Sequence, residues 1–248
     1  MKPVLRDSHP VATWAGRFLI TLLGGEAVAH ALAPGLLNGH PTGDALLLLA
    51  GAVLFCGWLV LAPAAIDPPS GPRAALLTAL LGTLADLALT GWHFPGLFPG
   101  LLPLKAAFGV ALLLFALSGL ARLIAPFAGG PGAALWWTLL ACAIVASAPL
   151  WAGPLLDTRL PVEAAVDPLI AFSPLTYLAS LMDWDYLRGE WFYRHSPFGG
   201  MRYSYPPPLG AGLAWLALGL AGWLRTSPAE PAPNKRGLGL GDGNLKPT

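Results

Sequence analysis

Six stretches of the chain are apolar for about the length of a membrane crossing, and clusters of turn formers separate them. They fall at about 14–34, 44–64, 73–92, 104–124, 133–151 and 209–224. At about 1.5 Å per residue, a helix of this size covers the roughly 30 Å hydrocarbon core of a bilayer. The breaks are built from Pro68, Pro69, Gly71 and Pro72, from the Pro/Gly-rich stretch 93–103, and from Gly129-Gly130-Pro131-Gly132. The sixth stretch is the shortest, and Pro206, Pro207 and Pro208 lengthen its outer end. The pattern predicts an all-α integral membrane protein with about six transmembrane helices. The first stretch also has the outline of a signal peptide: a basic start, a short apolar core at 18–25 and a cleavage-like Ala29-His30-Ala31. Glu26 interrupts that core and favours a retained helix.

The pattern changes once, between the fifth and sixth stretches. All five tyrosines lie there (Tyr177, Tyr186, Tyr193, Tyr203 and Tyr205), together with Trp184, Trp191 and the acids Asp183, Asp185 and Glu190. Ser173-Pro174 is a helix start, with Ser at the N-cap and Pro at the first helical position. Leu175, Leu178, Met182 and Tyr186 then recur at helical spacing, and Leu181, Trp184, Leu187 and Trp191 widen the same face. This predicts an amphipathic helix over 174–194 that lies at the membrane interface. Glu190 and Arg194 form an i,i+4 pair, and Asp185 and Arg188 an i,i+3 pair. Ser196-Pro197 and Gly199-Gly200 end the helix, and 203–208 reads as an extended return. The expected organisation is a lead at 1–13, a five-helix region at 14–153, an extracytoplasmic loop at 154–208, a last helix at 209–225 and a disordered tail at 226–248.

Composition agrees with the pattern. Of 248 residues, 55% are hydrophobic and 11% charged, and the mean hydropathy is +0.62. A soluble domain carries about 25% charged residues. A net charge of +1 offers no basic footprint for nucleic acid. Cys56 and Cys142 both sit in apolar stretches and read as buried small hydrophobes.

Charge sets the orientation. Lys2, Arg6, Arg73, Arg122, Arg225, Lys235, Arg236 and Lys246 fall on one side of a six-span chain. Lys105, Arg159, Arg188, Arg194 and Arg202 fall on the other, four of them in a long loop that counts for less. Both termini are therefore expected in the cytoplasm and the aromatic loop outside, in an inner-membrane protein.

Ionisable groups within spans are costly, so each is a candidate for function. Glu26 and His30 share one face of the first span. Asp86 lies at similar depth on the third, and His93 and Lys105 bracket the outer connection that follows. These five residues outline a candidate polar pocket beneath the loop, or a set of interhelical contacts that fixes packing. Two histidines on different spans could ligate haem, but His93 stands beside Pro95 at a span edge. Arg17 and Lys105, near span ends, snorkel most simply to the headgroups. The loop residues Tyr177, Trp184, Asp185, Arg188, Trp191 and Arg194 are the second candidate group. Asp183 and Asp185 point about 200° apart on a helix, which suits solvated positions better than one shared metal. His195 reads as a helix-end group beside Arg194. No catalytic motif, metal site or cofactor is expected, and no repeat relates the two halves as in inverted-repeat transporters.

Phe172-Ser173-Pro174-Leu175-Thr176-Tyr177-Leu178 resembles the Asn-Pro-Leu-x-Tyr helix start in the outer loop of ABC-2-type exporter permeases, with Ser in place of Asn. Six spans, cytoplasmic termini and a polar loop before the last span are similar too. The resemblance implies a permease-like subunit for a hydrophobic or lipidic substrate, served by a separate ATPase. The turn at 66–72 is short for that family's ATPase-coupling segment. Two other functions fit the same chain: an assembly subunit that docks an extracytoplasmic partner, and an intramembrane enzyme or redox protein using Glu26, His30 and Asp86.

Overall fold

The structure is a computed structural model, and it describes residues 47, 50–55, 58, 81–85, 88, 100–151, 162–188 and 203–225. Among these residues every regular element is helical and no strand occurs. The named helices are α1 (Leu102–Ile124), α2 (Pro131–Trp151), α3 (Val162–Phe172), α4 (Pro174–Leu181) and α5 (Pro208–Leu224), with a 3-10 turn at Tyr186–Arg188. Residues 50–55 and 81–85 are helical pieces of the second and third predicted spans. The expected first span and the tail at 226–248 lie outside the described residues.

Helix α1 is the axis of the bundle. Its first turn carries Pro103, at a position where no intrahelical N–H is needed. From Ala106 to Gly119 every residue except Phe108 is buried. At its far end Phe127 and Ala128 donate back to the Ile124 carbonyl. Gly129 and Gly130 then turn the chain with φ of 80° and 133°, a region that L side chains seldom occupy. Pro131 opens α2, which runs back along α1.

Helix α5 runs parallel to α1. Gly212 lies beside Leu112, Gly219 beside Phe115 and Ala116, and Gly222 beside Gly119, so the numbers rise together. Gly119 and Gly222 meet backbone to backbone: a methyl on Gly222 would overlap the Gly119 main chain, and one on Gly119 the main chain of Gly219. Trp223 closes this seam: its indole N–H donates to Ser118 Oγ at 3.0 Å, and its ring stacks on Phe115 at 6.5 Å between centroids. Two interior glycines each weaken a helix by about 1 kcal/mol. The close approach they permit is what offsets that cost. Parallel neighbours cannot be joined by a tight turn, so the chain returns through α2 to the end where α1 began. That end is called the cap end here, and the opposite one the turn end.

The helical piece 50–55, with Trp58 beyond it, has the direction of α1 as well. Gly51 faces Leu175 near the cap end, while the Trp58 indole donates to the Leu135 carbonyl near the turn end at 3.3 Å. Leu47, Val53, Leu54 and Trp58 join Val110, Leu113, Ile170 and Leu178 in one apolar core. Cys142 is buried and carries no disulfide.

Helices α1 and α2 are long and apolar enough to cross a membrane, and α5 is a shorter apolar helix. Most of α1 is covered by protein, whereas most of α2 is not. Trp136, Trp137, Leu140 and Ile144 are exposed on α2, as are Leu209, Leu213, Leu220 and Leu224 on α5.

Candidate functional site at the cap end

Residues 162–188 and 203–207 fold as a cap across the end of the bundle where α1 and α5 begin. Its first helix, α3, was not anticipated. Pro168 sits inside it and reads in sequence as a breaker. Its Asp167 accepts from the Ser204 backbone N–H at 3.1 Å, which ties the return segment to α3.

Helix α4 starts as the sequence predicts. Ser173 is the N-cap with φ −71° and ψ 125°, its hydroxyl accepts from Thr176 N–H at 3.4 Å, and Pro174 follows. The expected continuation to 194 does not occur. The helix ends at Leu181, Asp183 turns left-handed at φ 57°, and two crossed backbone bonds close the end. Trp184 N–H reaches the Ala179 carbonyl at 2.9 Å, and Asp183 N–H the Ser180 carbonyl at 3.3 Å. This is a Schellman stop with Asp in the place usually held by Gly. The apolar face is nonetheless buried as expected, since Leu178, Met182, Tyr186 and Leu187 all lie inside.

The face is seated between helices of the bundle. A Cβ on Gly109 would come within 2.7 Å of Leu178 Cδ2 and 2.9 Å of Leu181 Cδ2. One on Gly212 would lie 3.1 Å from the Tyr177 hydroxyl. The glycines of α1 and α5 thus form the notch that α4 fills. Tyr177 is 1% exposed, and among the described residues its hydroxyl has no hydrogen-bond partner. Ser173, Thr176 and Ser180 are buried on the same helix. Thr176 Oγ1 and Tyr186 OH share a hydrogen bond at 3.2 Å, and Ser180 Oγ donates to the Pro206 carbonyl at 2.8 Å.

Asp185 is the electrostatic centre of the cap. Its Oδ1 accepts from Tyr203 OH at 2.9 Å, from Tyr205 OH at 2.8 Å and, more weakly, from Arg188 N–H at 3.3 Å. Its Oδ2 pairs with Arg188 Nε at 3.2 Å, as the i,i+3 spacing implied. The Arg188 guanidinium also lies 5.8 Å from the Tyr203 ring centroid. The Tyr203 and Tyr205 rings meet edge to face, and Leu187 N–H approaches Tyr205 OH at 3.5 Å. Burial holds both phenols well above the ordinary tyrosine value, and the bonds to Asp185 and its negative charge push them the same way. Tyr186 is raised by burial as well. The phenols therefore remain protonated donors, which suits a clamp better than acid–base chemistry. The expectation that Asp185 is a solvated face residue is corrected: it joins the 3-10 turn to the return segment. Asp183 is exposed, as expected, and it pairs with Lys105 Nζ at 2.6 Å.

Of the candidate residues, Lys105, Tyr177, Trp184, Asp185 and Arg188 come together at the cap end, with Trp184 packed against the core. Glu26, His30, Asp86, His93, Trp191, Arg194 and His195 lie outside the described residues. Among the described residues no three His, Cys, Asp or Glu side chains gather as a metal site. Sequence reading missed Tyr203, Tyr205 and the two notch glycines as parts of one assembly. The Tyr-x-Tyr spacing in an extended segment was the available signal, since alternate residues point to one side. Comparison with protein-family models, curated proteins and solved structures found no match.

Proposed function

We propose that the chain is a six-span inner-membrane protein with both termini cytoplasmic, and that it serves as a permease-like subunit for a hydrophobic or lipidic substrate. The cap is the extracytoplasmic roof of that bundle. Membrane embedding is supported by the bare apolar surface. The outward face of α5 carries Leu213, Ala214, Ala217, Leu220, Ala221 and Leu224, all exposed. Trp136 on α2 is 68% exposed. Water-soluble monomers rarely expose contiguous apolar patches beyond a few hundred Å². The shared direction of 50–55, α1 and α5, with α2 running back, is what an alternation of six spans requires.

The observation that carries the permease reading is the seat of Tyr177 and Leu178 against Gly109 and Gly212. A roof wedged between two spans moves only when those spans move, so its position is coupled to helix packing. The Tyr177 hydroxyl adds the polar contact. A buried donor left unmade costs about 1–3 kcal/mol, and that cost is recovered when water or the polar group of a lipidic substrate reaches it between α1 and α5. The substrate's apolar part would come from the bilayer along the open faces of α2 and α5.

The test is purification from the native membrane in mild detergent, followed by assay of nucleotide hydrolysis and its response to added lipid. A co-purifying ATPase stimulated by lipid, with stimulation lost in Tyr177→Phe, is the expected result. Purified chain with no nucleotide-hydrolysing partner would contradict it. A second reading, an assembly subunit, is favoured by exposed Phe172 and Leu209 at the cap end, 70% and 77% accessible. Stoichiometric recovery of an extracytoplasmic protein in the same preparation would select that reading.

A further inference from the structure

Bare apolar surface reaches past α4 on both of the helices that hold it. Helix α4 meets α1 at Gly109, where Leu178 and Leu181 enter, and α5 at Gly212, where the Tyr177 hydroxyl stands. On α1 the neighbouring Phe108 is 55% exposed, and Leu104 and Leu101 continue the same exposed stripe toward the helix start. From Phe108 to Leu101 that stripe runs about 10 Å beyond the seat of α4. On α5, Leu213 is 57% exposed beside Gly212, and Leu209 lies exposed one turn nearer the start. Both stripes end at the cap end of the bundle.

Helix α2 gives the extent of the apolar layer independently. Its bare face runs from Trp136 through Leu140 and Ile144 to Trp151, which is exposed at the cap end. The two tryptophans stand about 22 Å apart along the helix. One lies toward each end of an aliphatic stretch, as in the aromatic belts that mark the two edges of a bilayer. Bare apolar surface thus reaches the cap end on α1, α2 and α5 alike. A polar rim begins beyond the seat of α4: Lys105, one turn from Gly109 toward the helix start, holds Asp183 at 2.6 Å just past the end of α4.

Chain within the hydrocarbon must satisfy its backbone polar groups internally, and α4 is closed in that way. The Ser173 hydroxyl caps its first turn, and the crossed bonds from Asp183 and Trp184 N–H close its last. Ser180 Oγ holds the Pro206 carbonyl of the return segment.

We infer that α4 is a re-entrant helix, sunk within the leaflet at the cap end, and that acyl chains of that leaflet cover Leu101, Leu104, Phe108, Leu209 and Leu213. The inference rests on the membrane-embedded reading of the chain. Lipid is the fitting occupant because the stripes continue the tryptophan-bounded face of α2. Leucine supplies four of the five residues, and leucine is under-represented among the residues that carry protein–protein binding. A lipidic substrate would then meet α4 from within the leaflet, without crossing the cap from the aqueous side.

The experiment places single nitroxide-labelled cysteines in the full chain, with Cys56 and Cys142 replaced by Ser, in phosphatidylcholine bilayers. The variants are Phe108→Cys, Leu213→Cys, Ile144→Cys and Asp183→Cys. Collisions are measured with oxygen, which concentrates among acyl chains, and with a water-soluble nickel chelate. The oxygen-to-nickel ratio at 108 and 213 should match that at 144 and exceed that at 183 severalfold. Positions 108 and 213 lie on separate helices, so a label that unfolds one variant leaves the other to decide. Nickel collisions at 108 and 213 as frequent as at 183, with 144 still oxygen-rich, would place the cap in water and overturn the inference. Few collisions with either reagent at both positions would mean that a second copy of this chain covers the stripes, and would overturn it too. A nickel-rich label at 144 as well would instead overturn the membrane reading beneath it.

Discussion

The two glycine contacts of this bundle differ in what they admit. At the turn end, Gly119 of α1 and Gly222 of α5 let main chain touch main chain. At the cap end, Gly109 and Gly212 let side chains of α4 enter between the same two helices. A backbone contact has no freedom to adjust, whereas Leu178 and Leu181 can change rotamer. The seam is accordingly the rigid part of the molecule, and the notch the part built to accept a wedge. On the permease reading proposed above, the seam would be the pivot that stays and the cap the roof that can shift.

The largest expected effect lies at the pivot. Gly222→Ala gains about 0.5–1 kcal/mol of helix propensity. It also forces a methyl into the Gly119 main chain, and overpacking of this kind costs about 1–3 kcal/mol or more where no side chain can yield. A net loss of about 1–2 kcal/mol in detergent unfolding is expected. Gly109→Ala meets only the ends of two leucines, so its gain and loss should nearly cancel. Equal losses in the two variants would erase the distinction between pivot and notch.

Next in size is the clamp within the cap. Asp185→Asn weakens the bonds from Tyr203 and Tyr205 and removes the ion pair with Arg188, and about 1–2 kcal/mol is expected for a partly exposed cluster. It should also change the pH response. Both phenols are raised in the fold, by burial first and then by Asp185. The stability they contribute is therefore fully present below about pH 10, the value of a free tyrosine, and is lost as pH rises beyond it. Tyrosinate absorbance should show two phenols resisting ionisation until the cap unfolds. In Asp185→Asn they should ionise at lower pH.

The smallest effect belongs to Lys105 and Asp183, an exposed ion pair worth about 0–1 kcal/mol. Lys105→Met should be nearly silent in stability. Asp183→Gly should be neutral or slightly stabilising, because φ 57° suits glycine and the lost ion pair is weak. A large loss in Asp183→Gly would mean that the pair, and not the Schellman stop, holds the end of α4.

These contrasts also mark what was legible in the chain. The boundaries of α1, α2 and α5 were readable to within two residues, because Pro103, Pro131 and Pro208 announce helix starts and apolar runs carry the rest. The Ser173-Pro174 start was readable for the same local reason. Helix α3 was hidden by Pro168, whose missing hydrogen bond is tolerated within the helix. The stop at Leu181 was hidden because Asp183 occupies a left-handed position that glycine normally signals. The grouping of Asp185 with Tyr203 and Tyr205 depends on the path of the chain between residues 188 and 203, which no local pattern specifies. The notch glycines looked like ordinary weak points of apolar helices until α4 was seen between them.

The central claim is that α4 is a wedge seated between α1 and α5 rather than a helix lying in solvent. Single cysteines at 178 and 183, in a chain with Cys56 and Cys142 replaced by Ser, test it directly with an impermeant thiol reagent on intact membranes. Position 183 is 77% exposed in its side chain and should label rapidly from outside, while position 178 is fully buried and should be protected until detergent or heat unseats the cap. Labelling at 178 as fast as at 183 in the intact membrane would contradict the wedge.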